Sequence, residues 1–250
     1  MFEITYIGHA TTLIKTEGSA ILTDPNFSKG FYFIKRKLPM NYDLTKLPKI
    51  DAVVLSHIHY DHLDIPSFKY MPTTVPIFCP PGGAKYVKKH LPNPVIELPH
   101  WESHTLANGT QIISVPAMHR SFRKCSLCRT ESCGYVIKSA NETVFFAGDT
   151  TYDSHFAEIK ERFADIDVAL LPIGGYKPRF LFKKYHMNPL EAVEAFVELG
   201  AKKFIPIHWG TFRLSFEKPD EPLKELNRVA AERSIADKVH VLSSGEYMNI

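Results

Sequence analysis

Ser56-His57-Ile58-His59-Tyr60-Asp61-His62 follows directly on the run Asp51-Ala52-Val53-Val54-Leu55. A short apolar run of that kind suits a buried strand. Residues two apart on an extended backbone share a side, so His57 and His59 point their imidazoles the same way. Asp61 and His62 are adjacent, face differently and can serve a second ion. Imidazole together with carboxylate suits zinc, manganese or iron rather than calcium. The H-x-H-x-D-H spacing at a strand's end therefore predicts a metal site.

Three more candidate ligands occupy equivalent places. His119 follows the strand expected at Gln111 to Val115, Asp149 the one at Thr143 to Ala147, and His208 the one from Phe204. Strands that share a direction would bring all of these to one edge. Asp24, in Thr23-Asp24-Pro25, is expected to accept a hydrogen bond from the outer nitrogen of a ligand histidine, as metal-bound imidazoles need such an acceptor. His9 is placed near the site without a role. His90, His100, His104, His155 and His240 have no motif around them and are expected at the surface.

Elsewhere the chain alternates short strands and helices. Phe2 to Ile7, Thr11 to Thr16 and Ala20 to Thr23 read as a strand meander. Val95 to Leu98, Ser103 to Leu106, Gln111 to Val115, Tyr135 to Lys138 and Thr143 to Ala147 read as further strands. Helices are predicted near Ala84 to His90, His155 to Phe163, Leu190 to Leu199 and Glu221 to Ser234. The third is the clearest: Asn188 as N-cap, Pro189 in the first turn and Gly200 as the stop. Two strands are expected after the last helix, and the segment from His119 to Cys133 reads as a long polar loop. A strand-rich first half and a mixed second half suit two packed sheets with helices outside, an α/β four-layer αββα sandwich spanning residues 1–250 as a single domain.

The 250 residues carry 30 basic and 27 acidic side chains, a formal charge of +3. That balance does not call for a nucleic-acid partner. The opening residues enter a strand pattern without a basic, apolar leader, so the expected location is cytoplasmic, with peripheral contact to a membrane. The four cysteines are then expected to be free thiols. Cys125, Cys128 and Cys133 have the spacing C-x2-C-x4-C but no evident fourth ligand for a zinc site.

The ligand motif resembles the metallo-β-lactamase superfamily. Gly8-His9-Ala10-Thr11, Leu22-Thr23-Asp24-Pro25, Leu171-Pro172-Ile173-Gly174-Gly175-Tyr176, His186-Met187-Asn188-Pro189 and His208-Trp209-Gly210-Thr211-Phe212 resemble its N-acylphosphatidylethanolamine-hydrolysing phospholipase D branch. The resemblance covers nearly the whole chain. It implies that His57, His59 and His119 hold one ion, that Asp61, His62 and His208 hold a second, and that Asp149 bridges them. Zinc is the expected ion, with manganese and iron as alternatives. Two such ions lower the pKa of a bridging water, and the hydroxide would attack phosphorus or a carbonyl carbon. The resemblance also puts His186 in the active site, where it would bind an oxygen of the scissile group or protonate the leaving alkoxide. Asp61 and His186 are thus the expected catalytic residues.

The expected activity is that of a metal-dependent phosphodiesterase acting on a small molecule or a phospholipid. A lactonase or other ester or amide hydrolase, and a nucleic-acid phosphodiesterase, are the alternatives on the same metal core; homo-oligomers are compatible with either. Two segments mix aromatic and basic residues, Phe31 to Lys37 and Tyr176 to Tyr185, and suit a phosphate with an acyl chain or an anionic membrane surface. The chain departs from the family after His119, where Arg120-Ser121-Phe122-Arg123-Lys124-Cys125 stands in place of the tryptophans usual there.

Overall fold

The computed structural model describes residues 2–123 and 128–250. The first half is strand-rich. It holds β1 (Glu3–Gly8), β2 (Thr11–Thr16), β3 (Ser19–Thr23), a small hairpin of β4 (Gly30–Phe31) and β5 (Ile34–Lys35), then β6 (Ala52–Val54), β7 (Ile77–Cys79), helix α1 (Ala84–His90), β8 (Val95–Glu97), β9 (Ser103–Thr105) and β10 (Gln111–Pro116). Next come β11 (Ser121–Arg123), β12 (Cys128–Thr130), β13 (Cys133–Lys138), β14 (Thr143–Phe146), α2 (His155–Arg162), β15 (Val168–Pro172), α3 (Arg179–Phe182), α4 (Pro189–Leu199), β16 (Lys203–Ile207), α5 (Glu221–Glu232) and β17 (Tyr247–Asn249).

Two sheets form, of order β17-β1-β2-β3-β6-β7-β8 and β16-β15-β14-β13-β10-β9. Period-two alternation explains how they stack. On β14, Val144 and Phe146 join the core between the sheets, while Phe145 joins the core beneath the helices. On β15, Val168 and Leu170 face inward and Ala169 and Leu171 outward. On β6, Ala52 and Val54 meet the other sheet while Val53 packs outward with Tyr86 and Val87 of α1. The outer face of the second sheet is covered by Phe156 of α2, Val193 and Phe196 of α4 and Leu226 and Val229 of α5. The layers are therefore helix, sheet, sheet, helix, as the sequence predicts. Each buried Phe or Leu contributes roughly 1.5–3 kcal/mol relative to an exposed one.

Strand direction gathers the site. In the first sheet β1, β3, β6, β7 and β8 run the same way, because β2 is antiparallel to both neighbours and the rest pair in parallel. In the second, β10, β14, β15 and β16 share a direction for the same reason. The segments leaving β1, β3, β6, β10, β14 and β16 carry His9, Asp24, His57, His119, Asp149 and His208.

The boundaries of α4 follow its caps. Asn188 accepts the Glu191 N–H at 2.8 Å, Glu191 accepts the Asn188 N–H at 3.1 Å, and Gly200 closes the helix at φ +63°. Other expectations need correction. The segment from His119 to Cys133 is not all loop, since β11 pairs with β12 and β13 starts at Cys133. After α5 there is one strand, β17, plus an isolated bridge between Val239 and Phe204. Cys133 is a buried free thiol inside the second sheet rather than part of an exposed loop. Cys125 lies outside the described residues, so the three-cysteine spacing finds no test there.

Gly148 is fixed by geometry. Its φ is +61°, and a Cβ there would stand 2.4 Å from the Ser56 Cβ. Gly148→Ala is therefore expected to lower stability by about 2–4 kcal/mol, combining left-handed strain with overpacking. Urea unfolding would check it; an unchanged midpoint would contradict this account of the corner that carries Asp149.

Candidate metal centre

His57, His62, His208, Asp61 and Asp149 are buried, and His59 and His119 are nearly so. The ligand-type atoms fall into two sets. In one, His59 Nδ1 lies 2.9 Å from His57 Nε2 and 3.2 Å from His119 Nε2. In the other, Asp61 Oδ2 lies 3.4 Å from both His62 Nε2 and His208 Nε2. Asp149 stands between them. Its Oδ2 is 3.2 Å from His62 Nε2, 3.8 Å from His57 Nε2 and 3.9 Å from His119 Nε2, and its Oδ1 is 3.2 Å from His208 Nε2. The structure thus brings all seven expected ligands together.

His186 joins them. Its Nδ1 lies 3.8 Å from Asp149 Oδ2, and its ring stands 5.0 Å from that of His119 and 5.3 Å from that of His208. Arg179 holds this residue in place, donating to the His186 carbonyl at 2.7 Å and to both Glu191 oxygens at 2.6 and 2.7 Å. The cap of α4 and the position of His186 are therefore one construction.

Outer hydrogen bonds set ring orientation, as metal sites require. His62 Nδ1 pairs with Asp24 Oδ2 at 2.6 Å, and Asp24 also takes the Ser56 N–H and hydroxyl at 2.7 and 2.5 Å. His119 Nδ1 donates to the Tyr185 carbonyl at 2.9 Å. These bonds turn His62 Nε2 and His119 Nε2 inward. Asp24 thus does what the sequence assigns to it.

The structure gives His9 its role and adds two residues that the sequence did not single out. His9 Nε2 lies 2.9 Å from Asp61 Oδ2, and the His9 carbonyl accepts the His208 N–H at 2.9 Å. Arg123 is buried. It donates to the carbonyls of Ile58, His59 and Leu63, and lies 4.0 Å over the Tyr60 ring, so it clamps the backbone of the H-x-H-x-D-H segment. His155 is buried rather than on the surface, 3.1 Å from the Thr150 hydroxyl beside Asp149. His90, His100, His104 and His240 are partly exposed and stand apart from the cluster.

A divalent metal fits this donor set. His62 Nε2, His208 Nε2, His186 Nδ1 and Asp149 Oδ1 are buried and make no hydrogen bond of ordinary geometry, only close contacts with one another, and unsatisfied buried polar atoms are costly unless something else meets them. Electrostatics agree. Burial and neighbouring imidazoles hold His57 well below its ordinary pKa, hold His59 at about 4 and lower His119, so these rings are neutral and have lone pairs to give. Burial opposes charge on His62 and His208 too, but Asp149 and Asp61 outweigh it and lift His208 to about 9 and His62 well above its usual value. Burial likewise opposes charge on Asp61 and Asp149, yet the histidines facing them hold both well below the carboxylate range.

Residues 19–209 match the model of the β-lactamase superfamily domain. The chain belongs to that superfamily. It is 35% identical to an N-acyl-phosphatidylethanolamine-hydrolyzing phospholipase D of Caenorhabditis elegans, over 89% of this chain and 68% of that protein. It is 28% identical to a UPF0173 metal-dependent hydrolase of Thermococcus kodakarensis, with all of both chains covered. Among solved structures it resembles Igni18, a metallo hydrolase of Ignicoccus hospitalis, at 26% identity and a TM-score of 0.73, over 99% of this chain and 97% of that one. The protein is accordingly a metal-dependent hydrolase of the superfamily.

Metal uptake should release protons. The raised pKa values of His62 and His208 mean that both rings are charged near pH 7 in the metal-free protein, and a metal must displace those protons. Apparent zinc affinity should therefore rise with pH between 7 and about 9, the value to which His208 is lifted. Calorimetry in buffers of different ionisation heat should count about two protons released at pH 7; heats independent of the buffer would contradict the assignment.

Proposed function

We propose that the protein is a phosphodiesterase of the N-acylphosphatidylethanolamine phospholipase D type, working with two divalent ions, zinc foremost. The observation that carries this reading is Asp149, whose carboxylate faces both donor sets, His57 and His119 through Oδ2 and His208 through Oδ1. The likeness to the nematode phospholipase supports the choice of substrate class. In this reading His57, His59 and His119 hold one ion, Asp61, His62 and His208 the other, and Asp149 spans both. When bound, such ions lower the pKa of water and polarise the oxygens of the scissile group.

The chain's own residues orient the rest. Asp24, His9 and the Tyr185 carbonyl fix His62, Asp61 and His119. His186 is buried enough to be held well below its usual pKa, Asp149 notwithstanding, so it meets substrate as a neutral ring. A neutral imidazole suits hydrogen bonding to an oxygen of the phosphate or leaving group better than delivery of a stored proton.

The rim favours a lipid. Phe33, Tyr32, Phe180 and Phe216 are 90, 75, 84 and 73% exposed. Tyr32 lies against Tyr60, and Phe122, also exposed, lies against His59, so these two rings border the metal cluster. Lys35, Lys37, Arg120, Lys183 and Lys184 are exposed among them. Other basic groups of these segments serve the fold: Arg179 is bound to Glu191 and Lys177 to Glu221. Aromatic side chains in a basic field suit an anionic bilayer, each surface cation contributing about 1 kcal/mol. Among the described residues, no helix is long and apolar enough to cross a membrane.

Two sets of variants test this. His59→Ala and Asp149→Asn should lose bound metal together with at least about a hundredfold of kcat/KM on bis(p-nitrophenyl) phosphate. His186→Ala should keep its metal and lose about a hundredfold in kcat, as removal of a transition-state donor does. A metal-loaded enzyme that hydrolyses lactones or esters but no phosphodiester would overturn the phosphodiesterase reading. For the rim, Phe33→Ser with Phe180→Ser should weaken sedimentation with phosphatidylglycerol vesicles about tenfold or more. Equal binding by the double variant would remove the membrane from the account.

A further inference from the structure

A second cavity, of about 230 Å³, lies beside the metal centre, behind the backbone that carries two of its residues. Gly8 and Trp209 are part of its wall, and they adjoin His9 and His208 in sequence. Leu38, Trp209 and Leu242 give it apolar sides, and Tyr6 and Arg36 give it donors. Among the described residues, no Asp or Glu lines it.

Both donors have capacity to spare. The Tyr6 side chain is 4% exposed and its hydroxyl makes no hydrogen bond of ordinary geometry, although Thr211 and the His9 backbone are close enough to influence it. Arg36 spends Nε on the Ser28 carbonyl at 3.0 Å and Nη2 on the Asn26 carbonyl at 2.7 Å. Its Nη1 borders Gly8 and, among the described residues, finds no acceptor beside those of Nε and Nη2. The carboxylate whose charge acts on Arg36, Asp64, is itself engaged by the hydroxyls of Ser28 and Ser67 at 2.7 and 2.5 Å. A phenol and a guanidinium with donors to spare, on a wall whose apolar side chains are joined by Asn41, Thr211, Ser243 and Ser244, match a carboxylate with a hydrocarbon tail. The volume equals about eight water-sized groups, at ~30 Å³ each.

We propose that this cavity is a binding site for a small aliphatic carboxylate of about four to six carbons, separate from the metal centre. The carboxylate accepts from Tyr6 Oη and Arg36 Nη1, and the tail lies along Leu38, Trp209 and Leu242. Occupancy bears on the metal centre through the backbone, since the His208 N–H is bonded to the His9 carbonyl across the shared wall.

Trp209 reports on the site directly. The chain has two tryptophans, so Trp101→Phe leaves Trp209 as the only one. Titration of the metal-loaded Trp101→Phe protein with sodium hexanoate should change Trp209 emission saturably, with a Kd of about 1 mM or tighter. Hexanol should bind at least about tenfold more weakly, and so should hexanoate to Tyr6→Phe and Arg36→Gln, each lacking one charge-assisted bond. Leu242→Phe, which narrows the cavity and leaves both donors, should weaken hexanoate as well. Hexanoate must bind His59→Ala as it binds the parent; loss of binding in that folded variant would put the ligand on the metals and overturn the proposal. So would an unsaturable response, or equal affinity for hexanol. None of these readouts depends on catalytic activity, so the proposal stands or falls apart from the phosphodiesterase reading.

Discussion

Everything at the site turns on one buried carboxylate. Asp149 faces His57, His62, His119 and His186 through one oxygen and His208 through the other, at 3.2–3.9 Å. The charge in that crowd is divided unevenly: the rings on one side are driven neutral by burial, and those on the other are driven to carry protons. A collection of lone pairs and charges this dense is costly to bury unless cations meet it. The fold spends its strand ends on holding the group in place, with left-handed backbone at His9, Asp24, Gly148 and His208. Left-handed conformations at non-glycine residues are strained, and they concentrate where a site demands a particular direction of approach.

Much of this was legible in the sequence because it depends on local rules. The H-x-H-x-D-H segment announces itself by spacing, and the remote ligands by lying just past predicted strands. The helix at Pro189 is bounded by residues whose capping chemistry is specific, Asn188 and Gly200. The sandwich follows from short strands that are apolar on both faces, which must be covered on both.

What escaped was long-range. Arg123 looks like one more cation in a polar loop; its acceptors are backbone carbonyls of Ile58, His59 and Leu63, and no side-chain pattern encodes a carbonyl. The β11–β12 pairing in the same region lacks apolar alternation. His155 has no motif because its burial comes from the Thr150 turn packed over it. His9 offered a signal in its place after the first strand, the same position that marks the ligands. The second aromatic-basic segment divides in a way composition does not foretell. Tyr176, Lys177 and Arg179 are bound to Glu225, Glu221 and Glu191, and only Phe180, Leu181 and the lysines beyond face solvent.

The most direct test of the proposed two-metal centre is anomalous diffraction at the zinc edge from crystals of the zinc-reconstituted protein. The account predicts two peaks separated by the Asp149 carboxylate, one enclosed by His57, His59 and His119 and the other by Asp61, His62 and His208. A single peak, or none after zinc, manganese and iron have each been tried, would contradict it.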